Sequence, residues 1–149
     1  TLSKAVGSYG GFICGKKNLI NFIINRCRSQ IYTTGLPPSV LAASIKSLEI
    51  IKSNKRLIKK PLENAIFFSK IAGLETPVSP IVPIVLGEEN RALNLSRYLK
   101  RYGYIVGAIR PPTVPKGTSR LRVAFNSSHT KLQIKNLANL IKNKLKVYG

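Results

Sequence analysis

The sequence predicts a mixed fold, α+β / α/β, with helices in the first half and strands joined to helices in the second. Three observations support this prediction. Apolar residues recur at helical spacing up to residue 72, short β-branched runs follow residue 80, and 44% of the 149 residues are hydrophobic. That apolar content is enough to bury a core in one ordinary domain, which argues against a disordered chain.

The first half is predicted to hold one strand and three helices. A short apolar run bounded by glycines favours a strand at residues 9–14, and three- and four-residue spacing favours a helix at 18–28. A second helix is expected at 38–51, with a proline in its first turn. The third helix is expected to follow Pro61 and to end at Gly73, since glycine commonly terminates helices.

Strands alternate with helices in the second half. The apolar runs at 81–86 and 104–109 are predicted strands, and the helical period of 91–102 places a helix between them. Residues 120–125 alternate apolar and polar side chains, as expected of a strand with one buried face. The proline-containing segment 76–80 is the predicted boundary between two subregions.

A last helix is predicted from a capping box. Thr130 and Gln133 have the spacing at which each side chain can bond the other residue's backbone N–H at a helix start. The apolar face of this helix is predicted to consist of five residues, Leu132, Leu137, Leu140, Ile141 and Leu145.

The charge of the chain is strongly one-sided, with 25 Lys and Arg against 5 acidic residues and a formal net charge of +20. This balance invites a nucleic-acid interpretation, because Lys and Arg neutralise phosphates. The basic residues fall among apolar residues in predicted helices, however, and no aromatic-interleaved basic strand or zinc knuckle accompanies them. The pattern therefore argues against nucleic-acid binding and leaves an acidic protein or an anionic ligand as a partner.

The inventory of reactive residues excludes several classes of site and protein. One histidine, His129, and two cysteines, Cys14 and Cys27, cannot form a clustered metal site or a Ser-His-Asp triad, so no metal is expected. Two cysteines are also too few for a secreted disulfide scaffold. Lys, Arg, Asn or Pro breaks every apolar run before the roughly 18 residues that a membrane-spanning helix needs. We therefore expect a soluble, cytoplasmic protein.

Two segments carry residue types suited to chemistry on a phosphate and a carboxylate. Thr1, Ser3 and Lys4 precede a glycine-rich turn, where hydroxyls can hold a phosphate while a lysine forms an imine. In most cases such a lysine is only solvated. Arg120 and Arg122 share one face of a predicted strand, which suits a carboxylate because a guanidinium fork matches its two oxygens. An exposed polar strand face is the alternative.

Five segments, spread over almost the whole chain, carry a family resemblance. They are Thr-Leu-Ser-Lys-Ala at 1–5, Tyr-Thr-Thr-Gly-Leu-Pro-Pro at 32–38, Ser-Pro-Ile-Val-Pro at 79–83, the arginine and proline segment at 108–122, and His-Thr at 129–130. With them the chain resembles the C-terminal part of the α-oxoamine synthases, which are pyridoxal-phosphate acyltransferases of fold type I. The resemblance implies that residues 1–75 end the cofactor-binding large domain, with connecting helices, and that residues 76–149 form the small C-terminal α+β domain.

The resemblance implies roles for residues around the cofactor, pyridoxal 5'-phosphate. Lys4 matches the Schiff-base lysine, which in this family is also the catalytic base that transfers a proton. Thr1 matches the hydroxyl donor to the cofactor phosphate, and Ser3 is a second candidate for that contact. Thr33 and Thr34 match a segment that reaches the phosphate of the neighbouring subunit's cofactor, which implies a homodimer.

The resemblance also implies the substrates. Arg122 matches the arginine that binds the amino-acid carboxylate, and Thr113 lies in the loop over the acyl substrate. Residues 108–115 look most like those of family members that condense L-alanine with pimeloyl-CoA or pimeloyl-acyl carrier protein in biotin biosynthesis. The alternatives are members of the 5-aminolevulinate synthase or glycine acetyltransferase type and, in a different class, a non-catalytic basic fragment that binds RNA or protein.

One departure from the family bears directly on activity. Enzymes of this type need an aspartate on the pyridine nitrogen of the cofactor and an aromatic ring stacked on it. This sequence contains no aspartate and begins at Thr1 rather than at a methionine. We therefore expect an upstream portion of the large domain to carry both groups, and we expect the 149 residues alone to be inactive.

Overall fold

The computed structural model of the chain describes residues 1–148, and the side chains of residues 1–147. The chain divides into two compact units, Thr1–Lys55 and Arg56–Gly149. Helices occur in both units and a sheet in the second, which confirms the mixed fold class. The domain boundary after residue 75 stays a prediction, because the two units reflect only how residues of this chain pack. Within the described residues, no helix combines the length and apolar character that crossing a membrane requires.

The first unit is built from three helices, α1 (Lys17–Arg26), α2 (Arg28–Ile31) and α3 (Pro38–Ser53). The predicted helix at 38–51 is confirmed as α3, which starts at its proline because the fixed φ of proline suits a first helical turn. The helix predicted at 18–28 is confirmed only as far as α1. Cys27 is extended and separates α1 from α2.

The strand predicted at residues 9–14 is wrong. These residues form no regular element, and the Gly10 carbonyl instead accepts a hydrogen bond from the Leu2 N–H at 2.9 Å. A strand needs a second strand to pair its backbone groups, and the structure describes no strand between residues 1 and 55. The side chains of Phe12 and Ile13 are exposed as a result.

The second unit opens with α4 (Lys55–Ala72). Pro61 lies inside this helix, so the prediction that the helix starts after Pro61 is wrong. Proline removes one backbone bond, but the lysines, arginine and leucine before it are strong helix formers. The predicted end is confirmed, since Gly73 has a φ of +73°. The Leu74 N–H there donates to the Ser69 carbonyl at 2.9 Å, a bond typical of a glycine-terminated helix.

A three-stranded antiparallel sheet follows, in which β3 (Ser119–Ala124) lies between β1 (Ile81–Gly87) and β2 (Gly107–Ile109). The helix α5 (Glu89–Arg101) connects β1 to β2. This helix and the two longer strands are confirmed. The sequence therefore predicted the order of these elements correctly.

β2 is shorter than the strand predicted at 104–109. Its pairing with β3 stops where Gly107 lies opposite Arg122. Before that point, the Tyr104 N–H donates to the Leu99 carbonyl at 3.0 Å, at the end of α5. Residue 104 therefore belongs to the turn that ends the helix, and only the last three residues of the predicted strand pair with the sheet.

One face of the sheet packs with α4, α5 and α6 (Lys131–Tyr148) in a single core. The alternation predicted for residues 120–125 is confirmed, since Leu121, Val123 and Phe125 are buried. The largest fully buried apolar side chains are Phe68, Leu95, Leu99, Leu121, Ile134 and Ile141.

The capping box of α6 is confirmed, and its apolar face is confirmed except at one residue. The Thr130 N–H donates to Gln133 Oε1 at 2.9 Å, and the Gln133 N–H donates to Thr130 Oγ1 at 3.3 Å. Leu132, predicted to be buried, is 68% exposed. Ile134 begins the buried face instead, and two residues turn a helix by about 200°, so Leu132 points away from the core. The other four predicted residues lie in or against the core, Leu137, Leu140, Ile141 and Leu145.

The opposite face of the sheet is open in this chain. In the strand register, Arg122 lies opposite Pro83 and Arg120 lies opposite Val85. All four side chains are exposed or half-buried, in contrast to the residues that alternate with them. Arg122, the predicted substrate arginine, therefore lies on this open face together with Arg120.

Candidate cofactor and substrate sites

Lys4 lies in a loop, residues 1–10, that backbone hydrogen bonds close and that we name the lysine loop. The Leu2 N–H donates to the Gly10 carbonyl at 2.9 Å, and the Gly7 N–H donates to the Lys4 carbonyl at 3.0 Å. Gly7 and Gly10 have φ values of +64° and +102°, which glycine adopts without the steric cost of a Cβ. These bonds shape the backbone on both sides of Lys4, whose side chain is exposed.

Thr1 and Ser3 place two hydroxyls on the lysine loop. Their Oγ atoms lie 2.8 Å apart and share a hydrogen bond. Thr1 and Ser3 are both exposed, so a phosphate oxygen can replace this bond and accept from each hydroxyl. Hydroxyl donors close in sequence to a primary amine suit an aldehyde that bears a phosphate, and these residues therefore fit pyridoxal phosphate.

Thr33 and Thr34 lie in the segment between α2 and α3. Thr33 donates from Oγ1 to the Thr34 carbonyl at 3.4 Å, and both residues are exposed. Across residues 1–148, neither threonine forms a hydrogen bond with the lysine loop. Their contact with a second subunit's cofactor stays a prediction.

A surface cavity of about 910 Å³ lies over the open face of the sheet. Its lining brings together Thr113 and Arg122, the predicted substrate-binding residues, with Arg120. Glu75 also lines the cavity. Two arginines against one glutamate give the lining a net positive charge, which favours an anionic ligand.

Arg120 and Arg122 differ in what holds them. The half-buried Arg120 donates from Nε to the Thr118 carbonyl at 2.9 Å. Arg122 is exposed, and the described part of the chain offers its guanidinium neither a hydrogen bond nor an ion pair. Its cross-strand neighbours, Pro83 and Gly107, have no side-chain acceptor. Arg122 therefore keeps its full set of donors for a ligand carboxylate.

Thr113 lies in a loop that backbone and side-chain contacts hold in place. The Thr113 N–H donates to the Arg110 carbonyl at 3.0 Å across a cis Pro111–Pro112 bond. Arg110 forms an ion pair with Glu89, with 3.8 Å between Nη1 and Oε2. The loop is thereby joined to the start of α5, which places Thr113 beside the cavity.

Sequence reasoning missed three polar residues of the cavity lining, Glu75, Thr76 and Ser79. Ser79 Oγ accepts from the Ile81 N–H at 3.2 Å, at the start of β1. A signal for Ser79 was present, since it belongs to the Ser-Pro-Ile-Val-Pro segment that carries the resemblance. Glu75 and Thr76 have no comparable signal. Up to residue 148, no group of three or more His, Cys, Asp or Glu side chains is arranged to hold a metal ion.

The chain is similar in sequence to one protein family and to named proteins. The profile of the family described as aminotransferase class I and II matches residues 1–141. The 8-amino-7-oxononanoate synthase of Granulibacter bethesdensis is 49% identical over 142 residues, which cover 95% of this chain and 37% of that protein. The chain thus spans little more than a third of the length of this relative.

Two solved structures share the fold of the chain. 8-Amino-7-oxononanoate synthase from Francisella tularensis superposes with a TM-score of 0.84 at 28% identity, over 98% of this chain and 44% of that one. A variant of serine palmitoyltransferase from S. paucimobilis, with a bound PLP–myriocin compound, superposes with a TM-score of 0.85 at 27% identity, over 100% of this chain and 39% of that one. Both matches cover this chain almost completely and less than half of the larger neighbour.

Proposed function

Because this chain belongs to the aminotransferase class I and II family, we propose that it supplies the lysine and the substrate-binding portion of an 8-amino-7-oxononanoate synthase. Because the chain belongs to this family, it has the architecture of fold type I enzymes, and its cofactor is pyridoxal phosphate. One observation supports this proposal most strongly. The same chain contains the lysine loop and, beside an open cavity, Arg122 with no hydrogen bond or ion pair to its guanidinium among the described residues. The names of the relatives support the choice of synthase.

The proposed reaction joins L-alanine to a pimeloyl thioester, supplied as pimeloyl-CoA or pimeloyl-acyl carrier protein. A carbon–carbon bond forms between alanine Cα and the thioester carbonyl, and the alanine carboxylate leaves as carbon dioxide. The thiol is released and 8-amino-7-oxononanoate, an intermediate of biotin biosynthesis, is the product. The resemblance of residues 108–115 to the alanine-using members supports these substrates.

Lys4 is the proposed attachment point of the cofactor. Its primary amine suits the cofactor aldehyde, and once alanine takes its place the free amine can move a proton at alanine Cα. Thr1 and Ser3 are the proposed donors to the phosphate, since their hydroxyls lie together on the lysine loop. When bound, pyridoxal phosphate supplies an electron sink for the negative charge that develops at that carbon.

Arg122 is the proposed clamp for the alanine carboxylate. Its guanidinium can make two parallel hydrogen bonds to the two carboxylate oxygens, which fixes the orientation of the amino acid as well as its position. Arg120 already donates from Nε to the Thr118 carbonyl, so Arg122 is the arginine proposed to bind the carboxylate. Thr113, in the loop beside the same cavity, is the proposed contact with the acyl substrate.

A homodimer completes the proposed site. The hydroxyls of Thr33 and Thr34 are exposed and free of the lysine loop of their own chain, so they can donate to the cofactor phosphate of a second subunit. The acid for the pyridine nitrogen is proposed to come from a preceding part of the polypeptide, since this sequence has no aspartate. The proposed location is the cytoplasm, because Cys14 and Cys27 are both free thiols, as is usual in a reducing compartment.

A second candidate is a condensation that starts from another amino acid. The serine palmitoyltransferase variant superposes as closely as the synthase, with TM-scores of 0.85 and 0.84. Arg122 binds a group that every α-amino acid carries, so it does not distinguish alanine from serine or glycine. The side chain of the amino acid must therefore be selected elsewhere in the site.

The test uses a fused enzyme in which this chain follows the preceding part of the Granulibacter bethesdensis relative. Release of free CoA from pimeloyl-CoA is measured with alanine, serine or glycine as the amino acid. We expect alanine to give the highest kcat/KM, by about tenfold or more, because selection for one small side chain is worth roughly that factor. A higher kcat/KM with serine or glycine would favour the second candidate.

The lysine assignment is tested in the same fused enzyme by borohydride reduction with pyridoxal phosphate, followed by mass measurement. Lys4→Ala should abolish covalent attachment. Lys16→Ala is the matched control, because Lys16 is an exposed lysine of the same unit and its side chain makes no capping bond. Reducible attachment that survives Lys4→Ala would show that a different lysine holds the cofactor.

A further inference from the structure

The side chain of Ser8 links the lysine loop to α3. Ser8 Oγ donates to the Val40 carbonyl at 2.9 Å and accepts from Ser44 Oγ at 2.8 Å. Ser44 Oγ also lies 2.9 Å from the Val40 carbonyl, one helical turn earlier. Because Ser44 has a single hydroxyl proton, it donates to one of these two acceptors at a time. We name this network of Ser8, Val40 and Ser44 the serine clamp.

The serine clamp is buried on its helix side. Ser44 is 6% exposed and is the one buried residue of α3, all of which the structure describes. A buried hydroxyl is stable only with a partner, because an unpaired one costs free energy. Among residues 1–148, the serine clamp is the only hydrogen-bonded link between the lysine loop and a helix. A directional bond therefore joins the loop to α3.

We propose that Ser44, acting through Ser8, is a positioning residue for Lys4. The proposal rests on the proposed function, which assigns the cofactor to Lys4. The Ser8 N–H donates to the Leu2 carbonyl at 3.0 Å, and the Gly7 N–H donates to the Lys4 carbonyl at 3.0 Å. The serine clamp thus reaches Lys4 through the backbone of the lysine loop, without contact between either serine and the cofactor.

A restraint has a clear purpose at this place in the chain. Gly7 and Gly10 give the lysine loop two positions of high backbone freedom. A lysine side chain is itself flexible, so its amine is well placed only if its Cα is held. A displacement of about 1 Å in a reacting group can cost on the order of 100-fold in rate. Anchoring the loop to a 16-residue helix limits that displacement.

Ser8→Ala in the fused enzyme is the primary test. It removes the link while Ser44 can still donate to the Val40 carbonyl, so no buried hydroxyl loses its partner. We expect half-maximal covalent attachment at Lys4, measured by mass after borohydride reduction, to need about threefold to tenfold more pyridoxal phosphate, the range for one hydrogen bond.

The kinetics of the same variant separate positioning from general destabilisation. With alanine, kcat should fall by a similar factor, because Lys4 moves the proton, whereas KM for alanine should not change, because Arg122 is untouched. Ser39→Ala is the matched control, since Ser39 is an exposed serine at the start of the same helix. It should leave both attachment and kcat at the values of the unaltered enzyme.

Ser44→Ala is the second variant. Ser8→Ala and Ser44→Ala combined should be no more harmful than the worse of the two alone, because the two serines act as one unit. Unchanged attachment and kcat in both single variants, or an equal loss in Ser39→Ala, would overturn the positioning role and leave the assignment of Lys4 intact. Attachment that persists in Lys4→Ala would instead overturn the proposed function.

A measurement on the unaltered fused enzyme is independent of how the variants fold. The Gly7 and Ser8 amides donate to carbonyls within the anchored loop, so their hydrogen exchange should be at least tenfold slower than in an unfolded peptide. Exchange of both amides at the unfolded rate would overturn the serine clamp as a restraint on the loop.

Discussion

The two compact units differ in how completely they bury their apolar side chains. From residue 56 onward, the sheet and three helices enclose a core in which Phe68, Leu95 and Leu121 are 0% exposed. In the first 55 residues, only Leu2 and Ser44 are buried, and each keeps 6–7% of its surface exposed. The exposed large apolar side chains of that unit are Tyr9, Phe12, Ile13, Leu19, Phe22, Ile24, Ile31, Tyr32, Leu41, Ile45, Leu48 and Ile50.

This difference separates two kinds of site. Arg122 lies on a strand whose other face is buried, so the core that supports the proposed substrate clamp is complete within this chain. Lys4, the proposed cofactor lysine, lies in a loop that has its own hydrogen bonds and the serine clamp, in a unit with much exposed apolar surface. Extended exposed apolar surface marks a place where other polypeptide binds. We therefore expect the cofactor side of the enzyme to need preceding residues or a second subunit, and the substrate side to need neither for folding.

The largest effect is expected for the isolated 149-residue chain. It should show neither turnover of alanine with a pimeloyl thioester nor the long-wavelength absorbance of bound pyridoxal phosphate. The apolar side chains of the first unit are exposed, and the sequence has no aspartate for the pyridine nitrogen of the cofactor. Absorbance spectra and assays of CoA release test this expectation. Measured turnover by the purified chain would show that the first unit is sufficient as it stands.

Core and surface phenylalanines should differ sharply in the isolated chain. Phe68→Ala should lower the free energy of unfolding of the second unit by about 3 to 5 kcal/mol, because it leaves a cavity beside Phe125, whose ring centroid is 5.1 Å away. Phe22→Ala should change the free energy of unfolding of the first unit by no more than about 0.5 kcal/mol, since Phe22 is 63% exposed. Urea denaturation followed by circular dichroism measures both values. Similar losses in the two variants would refute the contrast between the units.

The two strand arginines offer the next test, in the fused enzyme. Arg122→Lys keeps the charge but loses the guanidinium fork, so alanine should bind about tenfold or more weakly, with covalent attachment of pyridoxal phosphate unchanged. Arg120→Lys is the matched control and should be milder, because it loses only the bond to the Thr118 carbonyl. Titration with alanine measures both. A larger loss with Arg120→Lys would show that Arg120, and not Arg122, binds the alanine carboxylate.

The smallest effect is expected when added salt screens the positive charge of the exposed side chains, which both units carry. If the acyl group arrives on an acidic carrier protein, its association with the fused enzyme should slow severalfold between about 0.05 and 0.5 M salt, as screening increases. Stopped-flow measurements of the association rate test this. A rate independent of salt would exclude steering, and steeply salt-dependent binding of random oligonucleotides would favour the nucleic-acid alternative.

Sequence patterns predicted structure well where neighbouring residues control the outcome. The capping box at Thr130 and the helix end at Gly73 depend on groups only a few residues apart, and both were predicted correctly. The strand at 9–14 failed because pairing needs a distant partner that these residues do not meet. The predicted helix start after Pro61 was wrong, because a helix with strong helix-forming residues on both sides tolerates the proline. The prediction that Leu132 is buried was wrong, because the elements packed against a helix decide which of its faces is buried.

The candidate site divides in the same way. The sequence by itself determined which residues are candidates for chemistry, among them Lys4 and Arg122, and the family whose fold the chain shares, because motif order and spacing are properties of the chain alone. Only the tertiary structure decided that Arg122 is unengaged, since this depends on Pro83 and Gly107 on the two neighbouring strands. It also decided the contact between two serines 36 residues apart. No local spacing encodes such contacts, because they exist only once the chain folds back on itself.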